Sequence, residues 1–171
     1  MPVSALNLRY FLSGGASNSD PLLSIGGAKS SVQLSSTALH NLFDRVTGDE
    51  AAAGVTRYRW LYFSNVDANA SGLMAPVVLY FTALPTNGDF ITAGVFATKN
   101  TPVAALATEL VAPSPALSFS APLTKAAGIS LPTAPYAQGD YVGICFKHTV
   151  SAGRISSIGN IFSWAVVGDS V

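Results

Sequence analysis

Residues 55–63, with the sequence VTRYRWLYF, decide the fold class of this chain. Aromatic side chains occupy every second position, at Tyr58, Trp60 and Tyr62. A two-residue period is typical of a β-strand, whose side chains point alternately to the two faces of a sheet. Residues 141–150 repeat this alternation with aliphatic and aromatic side chains. Both stretches therefore predict strands with buried faces.

Further strands are predicted on either side of these two, separated by Gly, Pro and Asn. They lie at residues 6–12, 75–83, 90–98, 116–123 and within the last apolar segment, 155–167. The runs 75–83 and 90–98 are predicted to pair as a hairpin. Residues 104–112 have the composition of a short helix that Pro113 and Pro115 would end.

One clear helical signal stands apart from the strands, at residues 36–46. Apolar residues spaced i, i+3, i+4 and i+7 form its buried side, and Ser36 or Thr37 is placed to cap it. These apolar residues are Leu39, Leu42, Phe43 and Val46. Residues 47–54 are interpreted as a loop that leads into the strand at Val55.

Together these patterns predict an all-β chain: a single antiparallel β-sandwich domain over residues 1–171, jelly-roll or Ig-like, with at most one or two short helices. Its length of 171 residues suits one domain. Residues 1–34 contain several glycines and are predicted to form an extended or loop-rich segment, packed on the domain or on a neighbour.

The composition is unusually poor in charge and excludes several classes of protein. Only 11% of residues are charged, against about 25% in an average soluble chain. Nine basic and nine acidic residues cancel, and 49% of residues are hydrophobic, which argues against disorder and against nucleic-acid binding. The surface is therefore expected to be neutral and polar, or covered by another protein.

No targeting or membrane segment is expected. Residues 1–4 lack a basic stretch followed by an apolar one, so export by the usual route is not predicted. The longest uncharged stretch is interrupted by Pro76 and is too short to span a bilayer. The single cysteine, Cys145, cannot form an internal disulfide and is predicted to be buried.

The residues most often used in catalysis do not form a set in this sequence. The two histidines, His40 and His148, lack nearby partner ligands, and Cys145 and His148 are three apart on a strand and point to opposite faces. Residues 67–72 imitate half of a calcium loop but lack its final glutamate, because Val78 stands there. Residues 27–30 lack the glycines of a phosphate loop. No catalytic, metal or cofactor site is predicted.

Four segments resemble a family of small β-rich structural proteins of tailed-bacteriophage particles. They are LFDRVTGDEAAAG at 42–54, YRWLYFSN at 58–65, LSFSAP at 117–122 and YVGICFKHTVSAG at 141–153. The first two are the more specific. The family's last strand usually has tryptophan followed by two basic residues, where this chain has Phe146, Lys147 and His148.

The resemblance implies a non-enzymatic virion protein, made in the host cytoplasm and assembled into the particle. It would be a head decoration (cement) protein that binds the major capsid protein or other virion proteins as a homo-oligomer, with a trimer favoured. No nucleic acid, membrane or cofactor would be involved. Candidate subunit contacts are five charged residues in or next to the first two segments, whose positions core packing explains least: Asp44, Asp49, Glu50, Arg57 and Arg59.

Two alternatives remain open at this point. The first is a tail, baseplate or fibre component, possibly one that binds glycans by stacking exposed Tyr58 or Trp60 on sugar rings. The second is a hydrolase with an unrecognised site. Arginines interleaved with aromatic residues could also suggest a platform for nucleic-acid bases, but Arg57 and Arg59 alternate to the face opposite Tyr58 and Trp60. A rim or subunit contact is the favoured role of the two arginines.

Overall fold

A computed structural model describes residues 7–36, 41–68, 74–86, 88–132, 135–154 and 161–170. Its strands are β1 (Leu8–Ser13), β2 (Lys29–Gln33), β3 (Val55–Asn65), β4 (Met74–Ala83), β5 (Asp89–Val95), β6 (Ile129–Ser130), β7 (Tyr141–Val150) and β8 (Ser163–Ser170). One helix, α1, spans Gly48–Ala53, and short 3₁₀ turns lie at Pro21–Leu23 and Lys125–Ala127. Within the described ranges, no helix has the length and apolarity needed to cross a membrane.

The strands form two sheets, and the paired strands within each sheet are antiparallel. The five-stranded sheet has the order β2-β1-β3-β7-β5, and the three-stranded sheet has the order β6-β4-β8. Phe63 and Phe146 from the first sheet and Phe81 from the second belong to one buried cluster between them. The predicted all-β, antiparallel sandwich is therefore confirmed. Of the N-terminal segment 1–34, the described residues 7–34 contribute β1 and β2 to one side of the larger sheet.

The predicted alternation along β3 places its side chains in two separate clusters. Leu61 and Phe63 pack between the sheets. Tyr58, Trp60 and Tyr62 point to the other face, where they pack against apolar residues of the segment between β5 and β6. Those covering residues are Val103, Leu106, Leu117 and Phe119. The chain between β5 and β6 thus covers the aromatic face, and both faces of β3 are buried.

The predicted hairpin between residues 75–83 and 90–98 is wrong, because β4 and β5 belong to different sheets. β4 pairs with β6 and β8, whereas β5 pairs with β7 from Asp89 opposite Val150 to Val95 opposite Ile144. The connection after β4 crosses from one sheet to the other. β5 pairs with β7 along its whole length. β4, which precedes β5 in the sequence, is therefore not its neighbour in the sheet.

The helix predicted at 36–46 is also wrong where the structure describes it, since residues 41–46 are not helical. Residues 37–40, with Leu39 and His40, lie outside the described residues. Leu42 and Phe43 are both buried in the core cluster between the sheets, although the segment that carries them is not helical. The helix forms instead at Gly48–Ala53, within the predicted loop 47–54.

A capping box explains where α1 begins. The Thr47 side chain accepts a hydrogen bond from the Glu50 backbone N–H, and the Glu50 carboxylate accepts one from the Thr47 backbone N–H at 2.8 Å. Such a box satisfies two backbone donors that a helix start leaves free. The signal was present in the sequence as Thr-x-x-Glu, followed by alanines.

We expect Thr47→Ala to lower the free energy of unfolding by about 1 kcal/mol, because it removes the N-cap acceptor. Urea denaturation of both proteins measures the difference. The control is Thr98→Ala, at an exposed threonine outside any helix or strand. Equal stability of the two variants would contradict a stabilising role for the box.

The strand predicted at 116–123 does not form. Only one isolated bridge joins Ser120 to Ala93 of β5. Pro115 and Pro122 lack the N–H groups that a longer ladder needs. The possible helix at 104–112 is absent too. Leu106 packs in the aromatic cluster, and the Glu109 carbonyl accepts a hydrogen bond from the Tyr58 N–H of β3.

Candidate functional site

The most distinctive polar feature is a pair of buried arginines at the start of β3. Arg57 and Arg59 lie on the same face of β3 as Leu61 and Phe63, the face turned toward the other sheet. Each side chain is only 2% exposed. Burial of a guanidinium is costly unless carboxylates pair with it. The two arginines therefore need acidic partners.

Three acidic residues from separate parts of the chain supply that pairing. Arg57 Nη1 lies 2.6 Å from Asp44 Oδ1, and Arg57 Nη2 pairs with Glu50 Oε1. Glu109 bridges both arginines: its Oε1 lies 3.5 Å from Arg57 Nε, and its Oε2 pairs with Arg59 Nη2. We call these five residues the arginine network. It ties α1, the preceding loop and the covering segment to β3.

Phe43 and His148 complete the surroundings of the arginine network. The Phe43 ring centroid lies 5.7 Å from Arg59 Cζ and 5.1 Å from the His148 ring. His148 is the cross-strand neighbour of Arg57 and lies 3.4 Å, Nε2 to Oδ2, from Asp89. Burial lowers the pKa of His148, although Asp89 acts in the opposite direction. The histidine therefore favours its neutral form.

Cys145 and His148 do not meet in the folded chain. Cys145 lies in the aromatic cluster on the opposite face of β7 from His148, as predicted, and burial raises the pKa of its thiol. Among the described residues, no group of three or more His, Cys, Asp or Glu side chains could hold a metal ion. The ion pairs of the network hold the segments that carry Asp44, Glu50 and Glu109 against β3.

The sequence-predicted contact residues largely meet in this network. Arg57 and Arg59 are buried and pair with acidic residues of the same chain. By contrast, the Asp44 side chain is 45% exposed, and Asp49 is exposed on α1. Their role as subunit contacts stays a prediction, and it now rests mainly on the two aspartates. Sequence reasoning missed Glu109. Its one signal was a lone charge in an otherwise apolar stretch.

The look-alike motifs take structural roles where they are described. Lys29 Nζ lies 4.0 Å from the centroid of the Phe11 ring, a cation–π contact that does not suggest a phosphate site. Asp67 is buried and its N–H donates to Asn65 Oδ1. The rest of that calcium-like loop, 69–72, lies outside the described residues.

Stacking of sugars on Tyr58 or Trp60 is contradicted by the structure. Both rings are buried, at 8% and 2% exposure, beneath the covering segment. Aromatic sugar platforms need an accessible ring face. Neither residue offers one, so a glycan-binding role cannot use them.

No protein-family model, curated protein or solved structure matches this chain. The resemblance to phage structural proteins stays a prediction.

The network makes the stability of the fold depend on pH. Hydrogen bonds from Arg57 and from the Thr47 backbone lower the pKa of Glu50 from 4.5 to about 2. The folded state therefore stabilises the ionised Glu50 carboxylate. The contribution of this carboxylate to the free energy of unfolding is fully present above the unfolded pKa of 4.5 and is lost as the pH falls from 4.5 toward 2.

We expect the free energy of unfolding to fall over that acidic range, and to fall less steeply in Glu50→Gln. Urea denaturation at a series of pH values tests this. Asp49→Asn is the control, since it changes a neighbouring acid that lies outside the network. Parallel curves for Glu50→Gln and the unmodified chain would refute the assignment.

Proposed function

We propose that this chain is a non-enzymatic structural protein of a phage particle, most specifically a head decoration protein. The observation that carries the proposal is the contrast between buried charge and exposed apolar surface. Arg57 and Arg59 are buried in ion pairs, while large apolar side chains are exposed. The sequence resemblance supplies the virion assignment, and the surface supports a role in assembly.

In the part of the chain that the structure describes, eight large hydrophobic side chains are at least 36% exposed. They are Leu22, Leu23, Val66, Phe90, Leu110, Val111, Leu123 and Ile161. Single exposed residues of this kind are common, but clustered ones mark interaction sites. Four of them form two consecutive pairs, Leu22–Leu23 and Leu110–Val111. Such pairs favour a protein that works by contact with other subunits.

A decoration protein of this kind would bind the major capsid protein as a homo-oligomer, with a trimer favoured, and would bridge neighbouring lattice subunits. Apolar and neutral polar contacts would supply most of the binding free energy. Binding should therefore persist at about 1 M salt, where surface charges are screened beyond about 3 Å.

The decisive experiment locates the chain on particles of the phage whose genome encodes it. Gold-labelled antibody against the purified chain should mark the head in electron micrographs. Particles from a phage with the gene deleted are the control. Purified chain added back should sediment with those particles at high salt. Labelling of the tail would favour the tail or fibre alternative, and absence from particles would refute a virion role.

A further inference from the structure

His148 is a histidine inside the core, on the face of β7 that is turned toward the smaller sheet. Only 6% of the residue is exposed. Ile144 and Phe146, on the same face of β7, belong to the cluster between the two sheets. Histidine is the side chain whose ordinary pKa lies between pH 5 and 8. The core therefore contains a group that can change its charge near neutral pH.

The imidazole of His148 has a hydrogen-bond partner on one side only. Nε2 lies 3.4 Å from Asp89 Oδ2, so an Nε2–H can donate to that carboxylate. Nδ1 is buried, and no hydrogen-bond partner for it occurs within the described part of the chain. Protonation would turn Nδ1 from an unpaired acceptor into an unpaired buried donor that belongs to a cation. Such a group is costly to keep away from water.

Charged groups surround the imidazole from each neighbouring element. They are Asp89 of β5, Arg57 and Arg59 of β3, Asp44 before α1, Glu50 of α1, Glu109 of the covering segment, and Arg154, which lies against Gly88. The three carboxylates of the arginine network already pair with arginines. Arg57 is directly opposite His148 in the strand register. A protonated ring would thus have Asp89 within reach and a second cation beside it.

Burial has the largest influence on the pKa of His148 and lowers it from the ordinary value of 6.5. Asp89 and Asp44 act to raise this pKa, and Arg57 acts to lower it further. The folded chain therefore binds fewer protons than the unfolded chain once the pH falls below 6.5. The free energy of unfolding falls in that range, which lies above the range in which Glu50 acts.

Phe43 covers the imidazole, and it lies in a segment outside the sheets. The two ring centroids are 5.1 Å apart. Residues 41–46 form neither helix nor strand. Packing of Leu42 and Phe43 and the ion pair of Asp44 with Arg57 hold this segment against the sandwich. Segments that lie outside the core strands open at a lower free energy than the strands do. Movement of residues 41–46 is therefore the least costly way to bring water to a charged His148.

We propose that His148 is a pH sensor whose protonation releases residues 41–46 from the core in mildly acidic solution. Protonation of a buried histidine that shifts a segment between two positions is a known form of switch. Here the charge change occurs on His148, and the segment that carries Phe43 and Asp44 is the part that moves. The inference concerns the fold of the chain by itself, so it does not depend on the virion role.

The first test is hydrogen exchange of the purified chain at about pH 7.5 and about pH 5.5, corrected for the intrinsic exchange rates. Residues 41–46 should lose protection at the lower pH, by at most about tenfold per pH unit, the limit for one linked proton. Residues 60–65 of β3 are the internal reference and should keep their protection. An equal loss in both segments would overturn a local release.

Two histidine variants assign the response. The amide of His148→Gln stays neutral and can still donate toward Asp89, so residues 41–46 should be equally protected at both pH values. His40→Gln changes the other histidine of the sequence and should keep the pH-dependent loss. A loss that persists in His148→Gln, or that disappears in His40→Gln, would overturn the inference.

The second test needs no substitution at His148, and it applies even if His148→Gln does not fold. Proton NMR follows the imidazole signal of His148 through the titration, and His40→Gln identifies which histidine signal is which. The midpoint should lie below 6.5, and the Phe43 ring signals should shift with the same midpoint. A midpoint at or above 6.5, or Phe43 signals that stay constant, would refute the sensor.

Discussion

Glu109→Gln is expected to lower the free energy of unfolding by about 3 kcal/mol, because removing one partner of a buried ion pair leaves the other charge unpaired. Glu109 is the acidic residue that pairs with both Arg57 and Arg59, which are each only 2% exposed. The amide keeps the shape of the side chain and loses its charge. Urea denaturation at neutral pH gives the value.

The matched control for Glu109 is Asp44→Asn, which removes one charge from the same network. Asp44 is 45% exposed and pairs with Arg57, so its loss should cost about 1 kcal/mol or less. A second variant, Glu109→Gln/Arg59→Met, should recover part of the loss, because it replaces the unpaired cation by an apolar side chain of similar length. If Glu109→Gln costs no more than Asp44→Asn, the bridging role of Glu109 is wrong.

Phe146→Ala is expected to lower the free energy of unfolding by about 3–5 kcal/mol, the range for truncating a buried aromatic side chain. Phe146 is fully buried on β7 and packs in the core between the two sheets. Its ring centroid lies 4.6 Å from that of Trp164 and 6.3 Å from that of Phe81, both in the smaller sheet. The alanine variant would leave a cavity where the sheets meet.

The control for Phe146 is Phe90→Ala, on the neighbouring strand β5, where the ring is 56% exposed. That substitution removes the same atoms with little change in burial, so about 0.5 kcal/mol or less is expected. Denaturation midpoints and slopes of both variants should be compared with those of the unmodified chain. Similar losses at the two positions would contradict the placement of Phe146 at the centre of the core.

The local patterns were sufficient for the main strands and for the fold class. Alternation along residues 55–63 and 141–150 predicted β3 and β7, because side-chain direction in a strand depends only on position within it. It also separated Cys145 from His148 correctly. The capping box at Thr47 and Glu50 is a local pattern as well, and it marks the helix that forms, whereas the apolar spacing at 36–46 predicts one that does not form over the described residues 41–46.

The pairing of strands and the assembly of the arginine network depended on tertiary structure. Alternation placed Arg57 and Arg59 on one face, but it could not show that this face turns inward or that Glu109, about fifty residues later, reaches it. Likewise, the short connection from β4 to β5 suggested a hairpin, while packing of the two sheets assigned them to different layers. Periodicity is a local property of the chain, so the sequence determined the main strands, and the composition determined the neutral charge. Burial and long-range pairing are properties of the whole packed chain, and only the tertiary structure decided which charges lie inside and which apolar side chains remain exposed.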